Sequence, residues 1–439
     1  MPRELPGERT LFGIVVFCVF SSKIILSSSD INSAAGVRID DFLILWSGLF
    51  LFRNGYLGKI RISRPIKFYL FFVAVNLFSA IWNGFSGRVP MLTSLLFSVR
   101  MLEYLVFYYI GNVMAKNRRS FERPLHWYIV MLAVVVPLQM LGVLPTTGNF
   151  AGSLQRAIGN TNGPYELAAV SAFLVCYLGY IYRERMKTAC SLGFLLLTAS
   201  RITLIGVLLS GTLWLFRRTQ SKKKLLMAFG GAVVSVALLI AAIPVVSGLS
   251  PQDLTIIRRL TSSNPAEMQS KFQLLYSLAP VAVDSDQYKR NTLDPSNSNA
   301  HNDSSLNGDV SGAIRMYRWT CLIKSTLDNW DSTWIGMGPS FASTAVDGYY
   351  TRTFTESGLI GLTSFLAFAL VVLRDKQPGC WAFRQYALVM FVTCMFIDIF
   401  VSYKPMLFFW LWHGMNNYWA ENPEIVSPGL AAERAELKA

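Results

Sequence analysis

The sequence predicts an all-α, polytopic integral membrane protein. Three properties of the 439-residue chain support this: 53% of its residues are hydrophobic, only 15% are charged, and the apolar residues occur in long runs. Soluble domains carry about 25% charged residues, and disordered chains lack long apolar runs. The composition therefore excludes both a multidomain soluble enzyme and a disordered protein.

Twelve apolar stretches predict transmembrane helices. They are residues 10–27, 39–53, 66–83, 91–115, 126–144, 164–182, 188–200, 201–216, 225–247, 353–373, 384–401 and 405–420. The seventh and eighth are shorter than the roughly 20 residues of a full span. We expect nine spans within residues 1–247, a large periplasmic loop over 248–352, three spans within 353–420 and a cytoplasmic tail over 421–439.

Basic residues orient these spans. More than half of the 40 Lys and Arg residues lie at the termini or in alternate connections, and the opposite connections hold few. Because cytoplasmic loops carry an excess of Lys and Arg, both termini are predicted to be cytoplasmic. Orientation and contact with membrane lipids explain the net charge of +14, so we expect no nucleic-acid partner. No cleavage site follows the first stretch, so we expect it to be retained.

The cysteines favour neither disulfides nor metal binding. The chain has six cysteines: Cys18, Cys176, Cys190, Cys321, Cys380 and Cys394. Only Cys321 falls in the predicted periplasmic loop, so an external disulfide lacks a second cysteine. Cys-x-x-Cys and Cys/His spacings are missing, as are P-loop and GxGxxG motifs. We therefore expect no metal site and no cofactor.

The long loop combines two kinds of sequence. Residues 284–309 are rich in Asp, Asn and Ser, which predicts a mobile segment. Residues 312–327 place Ile314, Tyr317, Cys321 and Leu322 near one face, which predicts a short helix lying on the membrane. Loops of this length are usually functional.

Two polar groups stand out in the first half of the chain. Arg100 and Glu103 lie at i and i+3 of the fourth stretch, on one helix face. A charge inside a span is by default a functional hypothesis, and a structural ion pair between helices is the alternative. Arg156 precedes the turn-forming sequence Asn162-Gly163-Pro164 at a predicted helix start. An Arg beside a helix N-terminus favours an anion site, and an ordinary capped loop is the alternative.

Two further groups lie at predicted outer turns. Ser200-Arg201 joins the two short stretches, which indicates either a recess below the outer surface or an Arg that reaches lipid headgroups. The end of the long loop concentrates Arg315, Arg318, Asp347, Tyr349, Arg352 and Glu356. Because Arg pairs with phosphate oxygens through two hydrogen bonds, the implied ligand is a membrane-embedded lipid with phosphate groups, such as a polyprenyl diphosphate that carries sugars.

The order and spacing of these motifs resemble the Wzy-type O-antigen polymerases, which are related to O-antigen ligases and other bacterial polysaccharide polymerases. The matching segments are Arg38–Phe42, Arg100-x-x-Glu103-Tyr104, Arg156–Ala168, Ser200-Arg201, Arg318-Trp319, Gly336-x-Gly338, Asp347-x-Tyr349 and Glu356-x-Gly358-Leu359-Ile360-Gly361. Ligases usually have a His where this chain has Asp347, which favours the polymerase.

The resemblance implies a GT-C-like, metal-independent glycosyltransferase of the bacterial inner membrane, with its active site facing the periplasm. A growing glycan on undecaprenyl diphosphate would be transferred to a repeat unit on a second undecaprenyl diphosphate. The implied catalytic residues are Arg201, Arg318, Asp347 and Glu356, and the implied substrate-binding residues are Arg100, Glu103, Arg156, Asn162, Arg315, Tyr349 and Arg352.

Within this scheme Arg156, Arg201 and Arg318 bind diphosphate, with Arg315 and Arg352 as alternates. Either Asp347 or Glu356 is the general base. The implied partners are undecaprenyl-diphosphate-linked oligosaccharides, membrane lipids and a chain-length regulator. Three alternatives stay open: an O-antigen ligase that transfers glycan to lipid A-core, a flippase for lipid-linked oligosaccharides, and a signalling or scaffold protein. A flippase would carry charged residues through many spans, whereas the spans here are mostly apolar.

Overall fold

A computed structural model describes residues 6–22, 39–117, 121–144, 156–219, 310–342, 346–375 and 380–422, with five further positions between 273 and 281. All regular elements in these residues are helices, which confirms the all-α class. The helices are α1 (Pro6–Phe20), α2 (Ile39–Arg53), α3 (Tyr56–Lys59), α4 (Arg64–Phe85), α5 (Met91–Glu103), α6 (Val106–Lys116), α7 (Glu122–Met140), α8 (Pro164–Leu174), α9 (Arg185–Leu197), α10 (Arg201–Thr219), α11 (Val310–Leu327), α12 (Trp330–Ile335), α13 (Tyr349–Leu373), α14 (Cys380–Thr393) and α15 (Tyr403–Glu421). A π-helical segment, Val175–Tyr182, continues α8, and a short 3-10 helix, Ile399–Val401, precedes α15.

Five segments of the described chain are long and apolar enough to cross a membrane. They are Arg64–Phe85, Met91–Lys116, Glu122–Met140, Pro164–Tyr182 and Tyr349–Leu373. A shorter apolar helix covers Arg201–Phe216. These segments support a helical membrane protein. The predicted span 225–247 and the predicted mobile segment 284–309 lie outside the described residues, and the total of twelve spans stays a prediction.

One predicted span is wrong in part. The stretch 384–401 was expected to be one helix, but α14 ends at Thr393. The Cys394 carbonyl accepts the backbone N–H of Tyr349 at 2.9 Å, so it does not continue the helical hydrogen-bond pattern. The chain then passes through a non-helical connection that contains Asp398. A connection that carries one buried carboxylate, Asp398, and a short 3-10 helix therefore replace the second half of the predicted span.

Other helix ends differ less from the predicted ones. α13 begins at Tyr349, about one turn before the predicted start, so Tyr349 and Arg352 lie in the helix rather than in the loop. α1 ends at Phe20, before the end of the stretch 10–27. The two short stretches form α9 and α10, joined by a turn in which Ala199 has φ 53. The predicted helix over 312–327 is confirmed as α11.

The described helices belong to two compact units. The first comprises residues 1–121, 264–381 and 394–439, and the second comprises 122–263 and 382–393. In the first unit α6 packs against α15 at very close range, since a Cβ on Gly111 would lie 2.1 Å from the Leu411 carbonyl oxygen. Small residues at such crossings allow the helix backbones to touch.

The first unit also pairs α4 with α13 through an aromatic core. The rings of Tyr69 and Phe368 lie 5.2 Å apart, and those of Phe72 and Phe365 lie 5.3 Å apart. All four side chains are almost fully buried. Packed aromatic pairs of this kind fix the position of α13 relative to α4, and the N-terminal part of α13 carries most of the polar residues described next.

The second unit is built on a small apolar core. Ala168 and Ala172 of α8 form one buried apolar cluster with Leu195 of α9 and Val207 of α10. The small side chains on α8 let the neighbouring helices approach closely. This packing places the start of α8 and the α9–α10 turn in one compact unit.

Candidate functional site

A buried charge cluster lies near the N-terminal end of α13. Arg352 Nη1 donates to Glu356 Oε1 at 3.0 Å, and Arg352 Nη2 donates to Asp398 Oδ2 at 3.1 Å. The three residues are 2%, 3% and 8% exposed, in the order Arg352, Glu356 and Asp398. One guanidinium is therefore shared by two carboxylates. Burial of charge is costly unless the charges are paired and hydrogen-bonded, as they are in this cluster.

Asp398 also holds the backbone on both sides of Asp347. Its Oδ2 accepts the N–H of Val346 at 3.1 Å, and its Oδ1 accepts the N–H of Gly348 at 3.2 Å. Asp347 lies between these two donors with φ 56, in the left-handed region that Asp tolerates better than most residues. The Gly348 carbonyl in turn accepts the N–H of Arg352 at 2.9 Å.

The Asp347 side chain pairs with Arg315 of α11. Arg315 Nε donates to Asp347 Oδ2 at 2.8 Å, and the two side chains are 32% and 31% exposed. This pair is much more accessible than the Arg352 cluster. A carboxylate that is both oriented and accessible meets the geometric requirement for a general base.

Trp319 attaches α11 to the same segment. Its indole N–H donates to the Val346 carbonyl at 2.8 Å, and its ring lies so close to Gly348 that a Cβ there would be 2.8 Å from a ring carbon. The half-buried Arg318 precedes Trp319 on this helix. The structure thereby brings the Arg318-Trp319 and Asp347-x-Tyr349 motifs together.

A second pair of motifs meets through the backbone. α13 is interrupted at Gly358, which has φ 65 and ψ −163. A Cβ on Gly336 would lie 2.4 Å from the Glu356 carbonyl carbon, and a Cβ on Gly358 would lie 2.3 Å from the carbonyl carbon of Trp334. Only glycine fits such a close approach at a positive φ. The Gly336-x-Gly338 and Glu356-x-Gly358 motifs are therefore two sides of one contact.

Three polar residues of α4, which were not predicted as site residues from the sequence, support this contact. Asn83 Nδ2 donates to the Gly336 carbonyl at 3.1 Å, and Ser79 Oγ donates to the Glu356 carbonyl at 2.7 Å. Ser357 Oγ donates to Asn76 Oδ1 at 2.6 Å. Residues 76, 79 and 83 share one face of α4. Their spacing on one face of an otherwise apolar span was the sequence pattern that could have predicted this role.

Arg88 links the end of α4 to α12. It contacts Asp331 at 2.7 Å and donates to Asn83 Oδ1 at 3.2 Å. The hydrogen bond from Arg88 is the main reason that the pKa of Asp331 is lowered below its ordinary value. The contact orients the segment that leads into Gly336.

In the second unit, the Arg156 loop lies beside the α9–α10 turn. Arg156 Nε donates to the Thr198 carbonyl at 2.8 Å, and the N–H of Ala157 donates to the Leu197 carbonyl at 3.0 Å. These carbonyls end α9, where a cation is favoured by the helix dipole. Arg201 begins α10 three residues later. The Arg156 and Ser200-Arg201 motifs are therefore neighbours in the structure.

The Arg156 loop is held firmly by its own unit. Gln139 forms two hydrogen bonds with the backbone of Gly159, both at 2.9 Å, and Tyr128 donates to Asn160 Oδ1 at 2.9 Å. The backbone N–H of Asn162 donates to Glu166 Oε2 at 2.7 Å. α8 begins at Pro164, as predicted. Glu166, which the sequence analysis did not single out, thus orders the turn before α8.

Arg100 and Glu103 form a separate pair on α5. Arg100 Nε lies 3.7 Å from Glu103 Oε2, and Arg100 Nη2 lies 3.8 Å from Asp41 Oδ2 on α2. α5 ends at Glu103 and α6 begins at Val106, and the two helices together form the segment Met91–Lys116, which is long and apolar enough for the predicted fourth span. The contact with Asp41 is the arrangement expected of an ion pair between helices.

The candidate residues are distributed over both units. The first unit contains Arg100, Glu103, Arg315, Arg318, Asp347, Tyr349, Arg352 and Glu356, and the second contains Arg156, Asn162 and Arg201. Convergence of Arg156, Arg201 and Arg318 on one ligand stays a prediction. The Tyr349 ring is 2% exposed and packs 4.9 Å from Phe365, between centroids, which indicates a core position. Among the described residues, no group of three His, Cys, Asp or Glu side chains has the arrangement of a metal site.

No protein-family model matches this chain, and no curated protein sequence matches it either. The resemblance to polysaccharide polymerases therefore depends on the order of the motifs in the sequence.

Proposed function

We propose that this protein is a glycosyltransferase of the bacterial inner membrane that polymerises a lipid-linked polysaccharide. The observation that carries the proposal is the partly exposed pair of Arg315 and Asp347, which the buried Arg352 cluster holds near the start of an apolar helix. The donor is a growing glycan on undecaprenyl diphosphate. The acceptor is a repeat unit on a second undecaprenyl diphosphate.

Asp347 is the general base in this proposal. The acceptor hydroxyl gives its proton to Asp347 and attacks the anomeric carbon of the donor, while the bond from that carbon to the diphosphate oxygen breaks. Undecaprenyl diphosphate leaves with the bonding electrons. Glu356 is the weaker choice of base because it is buried and already accepts a hydrogen bond from Arg352. Glu356 and Arg352 are therefore assigned to positioning.

Arginines stabilise the leaving diphosphate. Charge develops on the leaving oxygen, and guanidinium groups in a water-poor site interact with that charge more strongly than they would in water. Arg315, which pairs with Asp347, and Arg318 lie on α11, and Arg156 and Arg201 are the candidate arginines of the second unit. Arg100 and Glu103 are an interhelical ion pair in this scheme, and Tyr349 is a packing residue.

The proposal includes a location and partners. Both termini face the cytoplasm, as the distribution of Lys and Arg predicts, and the site faces the periplasm. The substrates are undecaprenyl-diphosphate-linked oligosaccharides that diffuse in the lipid bilayer. A chain-length regulator would act on the same growing glycan. The fold proposed for this chemistry is GT-C-like.

The test is a gel of surface polysaccharide from a strain that lacks the protein. The proposal predicts lipid core capped with a single repeat unit, and restoration of long chains by the wild-type gene. Arg318→Ala and Asp347→Asn should not restore long chains, whereas Arg374→Ala, at an exposed position, should. Bare core with finished chains on the carrier would instead identify a ligase. Single units retained on the cytoplasmic side would identify a flippase.

A second experiment tests the shared compartment of the arginines. Cysteines replace Arg156, Arg201 and Arg318 one at a time in a Cys190→Ser background, because Cys190 is an exposed native cysteine. A membrane-impermeant thiol reagent added from the periplasmic side should label all three. Labelling of these positions from opposite sides would overturn their assignment to the periplasmic face.

A further inference from the structure

We infer that Asp398 is a positioning residue that sets the catalytic orientation of Asp347. This inference rests on the proposed function, since it takes Asp347 as the general base. Asp398 belongs to none of the motifs that resemble the polymerases, and it falls inside a stretch whose sequence predicted a plain apolar helix. Its role follows from contacts that only the folded chain shows.

The Asp398 carboxylate accepts three hydrogen bonds from the protein itself. One oxygen accepts the Gly348 N–H at 3.2 Å, and the other accepts both the Val346 N–H at 3.1 Å and Arg352 Nη2 at 3.1 Å. Asp398 is 8% exposed. A carboxylate in this environment is poorly placed to take a proton from a sugar hydroxyl, so it acts on catalysis through the residues that it holds.

The two backbone donors flank the proposed base. Holding the N–H groups of residues 346 and 348 on one carboxylate fixes the peptide planes before and after Asp347, which keeps this residue at φ 56. A non-glycine residue adopts this conformation only where surrounding contacts compensate for its cost. The backbone conformation at Asp347 thereby orients its side chain towards Arg315 on α11.

Arg352 holds the same segment together with Asp398. Its side chain pairs with Asp398 and its backbone N–H donates to the Gly348 carbonyl at 2.9 Å, so one residue holds both the carboxylate and the segment that the carboxylate orders. Charge-assisted hydrogen bonds of this kind are stronger than neutral ones. The clamp therefore consists of Asp398, Arg352 and the backbone of residues 346–348.

The first test measures the clamp without any assay of activity. Amide hydrogen exchange is followed in the purified full chain for the peptide that contains Val346 and Gly348, in wild type and in Asp398→Asn. The variant keeps the shape of the side chain but loses its charge, and exchange at this peptide should accelerate at least 10-fold. Asp328→Asn, which changes an exposed Asp of the same unit, is the control and should leave the exchange unchanged. Unchanged exchange in Asp398→Asn would overturn the clamp.

The second test measures catalysis in vesicles supplied with the lipid-linked repeat unit. A misplaced base slows the chemical step while leaving the diphosphate contacts intact, so Asp398→Asn should lower kcat about 10- to 100-fold with little change in KM. In an Asp347→Asn background the same substitution should have almost no further effect, because Asp398 acts through Asp347. An equal further loss in that background would show a merely structural role and overturn the inference.

The two tests separate the inference from the proposed function. If wild type does not extend chains, the proposed function fails, whereas the exchange experiment still decides whether the clamp exists. If wild type extends chains and Asp398→Asn keeps its kcat, only the inference fails. Should Asp398→Asn not accumulate in the membrane, Asp398→Glu replaces it, since it keeps the charge opposite Arg352 but displaces the acceptor oxygens, and the same changes in exchange and kcat are expected.

Discussion

Met337 donates its backbone N–H to the carbonyl of Thr355 at 2.7 Å. In an uninterrupted helix that carbonyl would accept the N–H four residues later. The non-helical backbone at Gly358 interrupts these hydrogen bonds of α13. The N–H groups of Met337 and Gly338 donate to the carbonyls of Thr355 and Glu356 instead. Irregular backbone in a membrane protein needs such hydrogen-bond partners within the protein. The segment Gly336–Gly338 and the interrupted helix α13 therefore form one structural element.

Replacement of Gly336 by Ala should therefore destabilise the protein strongly. The residue has φ 87 and ψ −178, which costs a non-glycine residue about 1–3 kcal/mol, and the added Cβ would lie 2.4 Å from the Glu356 backbone. Thermal unfolding of the purified protein in detergent measures the effect. Gly13→Ala is the control, since nothing lies within 4 Å of its Cβ position, and it should unfold at or slightly above the wild-type temperature. Equal unfolding temperatures for Gly336→Ala and wild type would contradict the close approach.

The sequence predicted the helices better than the contacts between them. Apolar runs and turn residues were sufficient for α11, for the start of α8 at Pro164 and for the α9–α10 turn. Periodicity reports which face of one helix is apolar, but it does not report which distant segment packs there. The pairing of Arg156 with Thr198 depends on tertiary packing of the second unit and was therefore not predicted.

Asp398 was missed for a related reason. The run 384–401 is mostly apolar, and an average over such a run hides one carboxylate. In the folded chain, Arg352 and the backbone of Val346 and Gly348 provide the donors that make this carboxylate stable in a buried position. Those donors come from about 50 residues earlier in the chain, beyond the reach of any local pattern.

Removal of the Arg352 charge should cost more stability than any single carboxylate change nearby. Arg352→Leu leaves Glu356 and Asp398 buried without a counter-charge, and breaking a buried pair in this way typically costs about 3–5 kcal/mol. Arg352→Lys keeps the charge but loses the planar fork that reaches both carboxylates, so it should lie between wild type and Arg352→Leu. Chemical denaturation in detergent measures the free energy of unfolding of wild type and of the two variants and so gives their order. Arg374→Leu, at an exposed position, should stay within about 0.5 kcal/mol of wild type.

The contact between Arg88 and Asp331 predicts a dependence of stability on pH. The pKa of Asp331 is lowered in the folded state, mainly by the hydrogen bond from Arg88. A lowered pKa contributes stability that is present above the unfolded value, about 4, and that is lost as the pH falls through the folded value. Unfolding temperatures of wild type and Asp331→Asn should therefore differ at pH 6 and converge as the pH falls below about 4. A constant difference across this range would contradict the linkage.

The Arg156 loop should depend on Gln139. Gln139→Ala removes the side chain that both donates to and accepts from the Gly159 backbone, and it leaves two buried backbone groups unsatisfied. Each such group costs about 1–3 kcal/mol, so we expect a loss of about 2–6 kcal/mol in unfolding free energy. Val143→Ala is the matched control, because Val143 lies on the same segment and is 66% exposed. Similar stability of the two variants would show that the loop does not depend on these hydrogen bonds.

The Arg315–Asp347 pair should matter for activity far more than for stability. Both side chains are about one-third exposed, and ion pairs at such positions contribute only about 0–1 kcal/mol. Arg315→Gln and Asp347→Asn should therefore unfold within a few degrees of wild type. Each should lower the rate of chain extension about 100-fold, because Arg315 stabilises the leaving diphosphate and Asp347 is the general base. Glu184→Gln breaks a comparably exposed pair with Lys187 in the second unit and should change neither property. If Asp347→Asn kept the wild-type rate of extension, the base would have to be a different residue, and the buried cluster that orders the segment around Asp347 would serve the fold alone.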